Sequence, residues 1–175
     1  MRKIGKIFKF LIPVIALATL GVFMIGAGRR ERATVEKNKA LVMRKLEVWN
    51  KGDMALADEV YSSDTIRYID TAPEGSIRGR DALKQYIMAV RTAWPDMHIT
   101  VIDMFAQGDK VALHWAFRGT STGVVEGWPP PTGKEMVFEG VDIYRFADGK
   151  LVEDWCFQQD LAMFYQWGMK LVPAQ

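Results

Sequence analysis

Pro95 divides this chain into two periodicities, and that change restricts the fold more than any other feature. Ahead of it, apolar residues recur at helical spacing. Val35, Val42, Leu46 and Trp49 form one stripe over residues 33–51, and Gly52 closes it. Asp53 is placed to cap a short second helix reaching Tyr61. Asp81 opens a third helix, with Leu83, Ile87 and Val90 on one face. Between them lies an irregular stretch with one extended piece, Ile66 to Asp70. Behind Pro95 the period falls to two. Val111, Leu113, Trp115 and Phe117 alternate with Ala112, His114, Ala116 and Arg118. Ile99–Ala106, Glu135–Phe146 and Leu151–Phe157 read as further strands, and Asp160–Trp167 as a short closing helix. Helices first and an antiparallel run second is the α+β pattern, with helices packed on one face of a curved sheet.

The turn at Ala147-Asp148-Gly149 sets which residues of the last two strands share a face. A three-residue loop puts Asp142, Asp154 and Cys156 together. A two-residue Asp148-Gly149 loop puts Cys156 on the opposite face from Asp142.

An uncharged run, FLIPVIALATLGVFMIGAG, occupies residues 10–28 and has about the ~20 residues that cross a bilayer core. Its length favours an uncleaved single-pass anchor over a cleaved signal followed by secretion. The flanking charges favour an exported domain by a narrow margin. Residues 1–32 therefore read as an anchor or signal and 33–175 as one domain. Seven of the 23 Lys and Arg precede Ala33, against one acid, which leaves 16 basic and 20 acidic residues in the domain. Nucleic acid is excluded as an expected partner on that balance. One cysteine rules out an internal disulfide and a cysteine-based zinc site, and two histidines are too few for a histidine-rich metal site.

Three segments resemble the SnoaL-like polyketide (ester) cyclases of the NTF2-like superfamily: AWPDMHITVIDMFAQGDKVALHWAFRGTSTG, GWPPPTGKEMVFEGVDIYRFADGKLVEDW, and the closing QWG. The resemblance spans about residues 35–170. It implies a cone-shaped α+β barrel, one deep apolar pocket for a small hydrophobic ligand, a homodimer through the outer sheet face, and neither metal nor cofactor. The implied chemistry is proton transfer by a pocket aspartate in an intramolecular aldol closure. The sequence departs from the family where that chemistry sits. Ser121 stands at the usual histidine of the G-T-x-T-G motif, Cys156 at the cyclase aspartate, and Asp142 at a second pocket histidine.

Asp142 and Asp154 are accordingly the candidate acid/base pair. Asp142 shares its strand face with Met136, Phe138, Tyr144 and Phe146, where burial and a neighbouring Asp154 are expected to raise its pKa. Cys156 reads as a wall residue rather than a nucleophile, because Asp154 and Glu153 beside it disfavour thiolate. Tyr68, His114, Ser121, Trp128 and Cys156 complete the expected ligand-binding set, with Trp128 at the pocket mouth. Trp115 and Trp155 are further candidates to shape the pocket. A non-catalytic module holding a hydrophobic ligand is the alternative reading. A third is an epoxide hydrolase using Asp142, Arg118 and Asp154 around a water.

Overall fold

A computed structural model describes the backbone of residues 4–170 and 172, and the side chains of residues 28–72, 74–170 and 172. Four helices, α1 (Ile4–Lys51), α2 (Met54–Val60), α3 (Arg80–Ala93) and α4 (Asp160–Gln166), accompany six strands. The strands are β1 (Tyr61–Tyr68), β2 (Ser76–Arg78), β3 (His98–Gln107), β4 (Lys110–Thr120), β5 (Glu135–Ala147) and β6 (Lys150–Gln158). The α+β class and the strands behind Pro95 are as the periodicity predicts. The helix expected over 33–51 is the end of one longer helix. Among the described residues no helix is long and apolar enough to cross a membrane. The span expected at residues 10–28 falls, Gly28 apart, outside the described side chains.

Gly52 ends α1 because its φ of 73° is left-handed, and its N–H closes the last turn onto the Val48 carbonyl at 2.9 Å. Asp53 then caps α2, accepting the Leu56 N–H at 3.0 Å. The six strands form one curved sheet in the order β2-β1-β6-β5-β4-β3. The expected all-antiparallel sheet needs correction, because β1 lies parallel to β6, with Arg67 opposite Asp154. β1 arrives from α2 rather than from a hairpin, so nothing obliges it to run antiparallel. β2 and the helical turn Pro73–Gly75 lie in the stretch read as irregular. Three residues carry no detectable period, and only pairing with β1 makes β2 a strand.

On the inner face, Val111, Leu113, Trp115 and Phe117 of β4 meet Tyr144, Asp142, Gly140 and Phe138 of β5, rung by rung. Leu41, Val42, Val48 and Trp49 of α1 and Leu83, Ile87 and Val90 of α3 bury their stripes in the same core. Gly140 is required by its partner Trp115. A Cβ at 140 would stand 2.3 Å from Trp115 Cζ2, well inside contact distance.

The β5–β6 turn takes a third course. The loop is the two-residue one, Ala147 pairing with Lys150, and both Asp148 (φ 50°) and Gly149 (φ 73°) are left-handed. The register then shifts between Arg145 and Phe146, leaving Val152 as an extra residue on β6. That bulge returns Asp142 to Cys156 and Tyr144 to Asp154. Asp142, Asp154 and Cys156 therefore share a face, as the three-residue loop would have placed them.

Candidate functional site

The concave side of the sheet encloses a cavity of about 470 Å³. Its wall is largely apolar and rich in aromatic rings. Trp49 comes from α1, Tyr86 from α3, Trp115 and Phe117 from β4, Phe138 from β5, and Trp167 from the end of α4. Trp128 reaches it from the 121–134 loop. One patch of wall is charged: Lys45, Arg67 and Asp142, with Gln158 also lining the cavity.

Lys45 lies within the apolar stripe of α1, three residues from Val42 and four from Trp49, so the helix delivers it inside. Its Nζ donates to Asp142 Oδ2 at 3.1 Å and to the Tyr144 hydroxyl at 2.9 Å. It also sits 5.1 Å from the Trp49 ring centre. Tyr144 donates in turn to Asp142 Oδ2 at 2.7 Å. Arg67, carried inward by the alternation of β1, donates through Nη1 to Asp142 Oδ2 at 3.4 Å and to Asp154 Oδ2. All four charged groups are at least 95% buried. The cluster holds two cations and two carboxylates and is neutral when all are ionised. Its hydrogen bonds converge on one oxygen of each carboxylate. Asp142 Oδ1 and Asp154 Oδ1 are buried and have no partner among the described residues.

This arrangement corrects the expected titration of Asp142. Burial pushes its pKa up, but Lys45, Arg67 and the Tyr144 hydroxyl outweigh burial and hold the carboxyl well below the ordinary range. Asp154 behaves as had been expected of Asp142. Burial raises it, Arg67 only partly opposes, and the Asp142 charge adds to the rise, leaving it at about 6. Asp154 thus holds its proton more tightly when folded than the ~3.9 of an unfolded aspartate. The stability this provides is complete below the unfolded value and is lost as pH rises through about 6. The urea midpoint is therefore expected to fall between pH 5 and pH 7, and Asp154→Asn to flatten that fall. Equal slopes in the two proteins would contradict the assignment.

Of the expected ligand-binding residues, Trp128 lines the cavity and four others do not. Tyr68 alternates away from Arg67 and stacks on Trp155 at 5.5 Å, so neither ring faces inward. His114 lies on the outer face, hydrogen-bonded to Glu139 at 3.0 Å, because the inner face of β4 belongs to Leu113 and Trp115. Ser121 is buried at the neck of the 121–134 loop. Its Oγ accepts the Thr132 N–H at 3.3 Å and its carbonyl accepts the Gly133 N–H at 2.7 Å. It shapes the loop that presents Trp128 rather than the cavity wall. Cys156 is buried behind Asp142, where burial pushes its thiol far up despite Arg67. A thiol held protonated there is a poor nucleophile. Asp154 is also behind the wall, joined to the site through Arg67. Arg118 pairs with Glu135 at 2.6 Å on the surface, so the Asp142–Arg118–Asp154 triad does not form. Arg67 stands between the two aspartates instead.

A family model for SnoaL-like polyketide cyclases matches residues 39–167, the span that holds the charged cluster and all of the cavity lining but Met169. The chain belongs to this family. The SnoaL-like fold also aligns with solved structures along nearly their whole length. A protein named as a SnoaL-like polyketide cyclase from Jannaschia sp. CCS1 superposes with a TM-score of 0.70 at 19% identity, covering 78% of this chain and 95% of that one. IdmH of Streptomyces antibioticus, named as a polyketide cyclase, gives 0.64 at 27% identity, covering 75% and 99%. AclR of Streptomyces galilaeus, named as a hydroxylase, gives 0.66 at 26% identity, covering 79% and 90%. No curated protein matches the chain. One SnoaL-like scaffold thus carries names of different chemistries, and the reaction has to be argued from the site.

Proposed function

We propose that this SnoaL-like protein binds a flat, ring-containing carbonyl compound and moves a proton on it, with Asp142 as the base. The observation that carries the reading is Asp142 itself: a carboxylate lining a cavity rich in aromatic rings, with Oδ2 hydrogen-bonded to Lys45, Tyr144 and Arg67 and, among the described residues, no partner on the buried Oδ1. A proton leaving the carbon next to the substrate carbonyl goes to Oδ1. The negative charge leaves Asp142 and appears on the substrate oxygen, where Lys45 and Arg67 face it. The cations keep one negative partner throughout, so the transfer needs no new charge separation in a dry site. A carboxylate held far below neutrality is a weak base in isolation. Here the same cations that weaken it stabilise the enolate it creates, which favours proton transfer in the closed complex. The enolate carbon can then attack a second carbonyl of the same molecule: one C–C bond forms, the π bond of that carbonyl opens, and its oxygen takes the proton back from Asp142. The leader, read as an anchor, would hold the domain beside a bilayer, where such apolar compounds partition.

Deuterium uptake by 2-tetralone, a bicyclic ketone with an acidic C1 position, tests the reading without a known substrate. Loss of the C1 proton signal in D2O should be accelerated and saturable with the wild-type protein, and strongly slowed in Lys45→Met. Uptake no faster than in buffer, with tetralone still quenching tryptophan fluorescence, would leave a binding module without this chemistry.

The Asp142–Arg67–Asp154 array supports a second reading, water addition to an epoxide, in which Asp142 Oδ1 would take the proton from water. Formation of the diol from styrene oxide, in place of tetralone exchange, would favour it.

A further inference from the structure

The charged patch is not the cavity's only polar surface. Thr71 and Tyr86 also line it, and each carries a hydroxyl. Thr71 is exposed and Tyr86 half-buried, so neither side chain is closed off as the charged groups are. Thr71 sits in the turn after β1, which the Ala72 N–H closes onto the Ile69 carbonyl at 3.1 Å. Arg67, Ile69 and Thr71 are spaced by two, and all three line the cavity. Tyr86 stands one turn of α3 after Leu83 and one before Val90, on the buried stripe, so the helix turns its ring inward.

That ring packs on two tryptophans, 6.2 Å from Trp49 and 6.1 Å from Trp128. Trp49 in turn carries the cations: Lys45 Nζ and the Arg67 guanidinium carbon each lie 5.1 Å from its ring centre. The wall therefore passes from the charged patch over Trp49 to Tyr86, and on to Trp128 in the 121–134 loop. Burial raises the Tyr86 pKa, Arg67 opposes the rise, and so does the hydrogen-bonding hydroxyl of Thr71. Each hydroxyl has one proton to give and lone pairs to receive. Whichever of the two donates to the other, the second keeps its proton for a third group and the first keeps a lone pair. An apolar ligand end laid over this pair would strip its water and return nothing, which costs affinity.

We infer that Thr71 and Tyr86 form a specificity-determining subsite, which takes a hydroxyl at the end of the ligand remote from the charged patch. The inference rests on the cavity being a ligand site, as proposed above. It narrows the substrate class to ring compounds with a carbonyl at one end and a hydroxyl at the other. A hydroxyl suits the pair better than a second carbonyl, because it can use the donor and the lone pair together. Tyr86→Phe and Thr71→Val keep the shape of the wall and delete one hydroxyl each.

The test compares 2-tetralone with 6-hydroxy-2-tetralone, which differ by a hydroxyl on the ring away from the carbonyl, by isothermal titration calorimetry. The wild-type protein should bind the hydroxylated ketone about fivefold or more tightly, the preference expected of one good hydrogen bond. Each single variant should cut that preference about twofold or more, and the double variant should abolish it, with the loss falling on the hydroxylated ketone. Equal affinity for the two ketones in the wild-type protein, or a preference that survives the double variant, would overturn the inference and leave the proton-transfer reading standing. Equal losses for both ketones in the variants would show a structural role only and would overturn it too. The expected preference without deuterium exchange at C1 would support the subsite and remove the reaction. Failure of both ketones to bind would overturn both.

Discussion

Arg67→Met should lower the unfolding free energy by about 3–5 kcal/mol at pH 7, the usual cost of removing one partner from a buried charge cluster. Among the described residues, Arg67 is the only group that donates to both buried carboxylates. Without it Asp142 keeps Lys45 and Tyr144, but Asp154 keeps no charged hydrogen-bond partner. Methionine fills much of the volume, so the loss is electrostatic rather than a cavity effect. Asp154 then escapes by taking up a proton, and the deficit should shrink as pH is lowered toward 5. Adding Asp154→Leu should restore more than half of the loss, because the stranded charge is gone. Urea denaturation of the three proteins measures this. A single-variant loss under about 1 kcal/mol, the range of an exposed ion pair, would show the cluster to be hydrated.

Local rules read most of the fold. The alternation of Val111 to Phe117 belongs to a strand with one buried face, and the structure buries that face. Gly52 and Asp53 mark a helix end and a helix start through backbone conformation and capping, which act within a few residues. What local rules could not reach was pairing. β2 is too short to show a period, and the parallel seat of β1 beside β6 joins residues some 87 positions apart, Arg67 and Asp154. The β5–β6 hairpin shows the limit well. The turn residues permitted either loop, and the bulge at Val152, which decides the register, has no side-chain signature of its own.

The site divides along the same line. Asp142 and Trp128 were legible from an acid among aromatics and a tryptophan in a Pro-rich loop. Lys45 was missed, although a lysine inside the stripe of Val42, Leu46 and Trp49 is a readable anomaly, since few lysines are buried without a partner. Arg67 gave a weaker signal, an arginine between Thr65 and Ile69 on one face of a short extended piece. Without those two cations the direction of the Asp142 shift could only be read from burial, and it came out reversed. The cations lie 97 and 75 residues away in the chain. Tyr68 was misplaced because its short extended piece does not show which face turns inward, whereas His114 sits opposite the Val111, Leu113, Trp115 and Phe117 face that the alternation already marks as buried.

Asp142→Asn tests the central assignment most directly. The amide keeps the shape and removes the proton acceptor, while Lys45 and Arg67 remain to hold a carbonyl oxygen. Deuterium uptake at C1 of 2-tetralone should fall by about 10²–10⁴-fold, the range for loss of a positioned general base, and tetralone affinity should stay within a few-fold. Uptake within about threefold of the wild-type rate, in a variant that remains folded, would remove Asp142 from the chemistry, since a positioned base contributes far more than that.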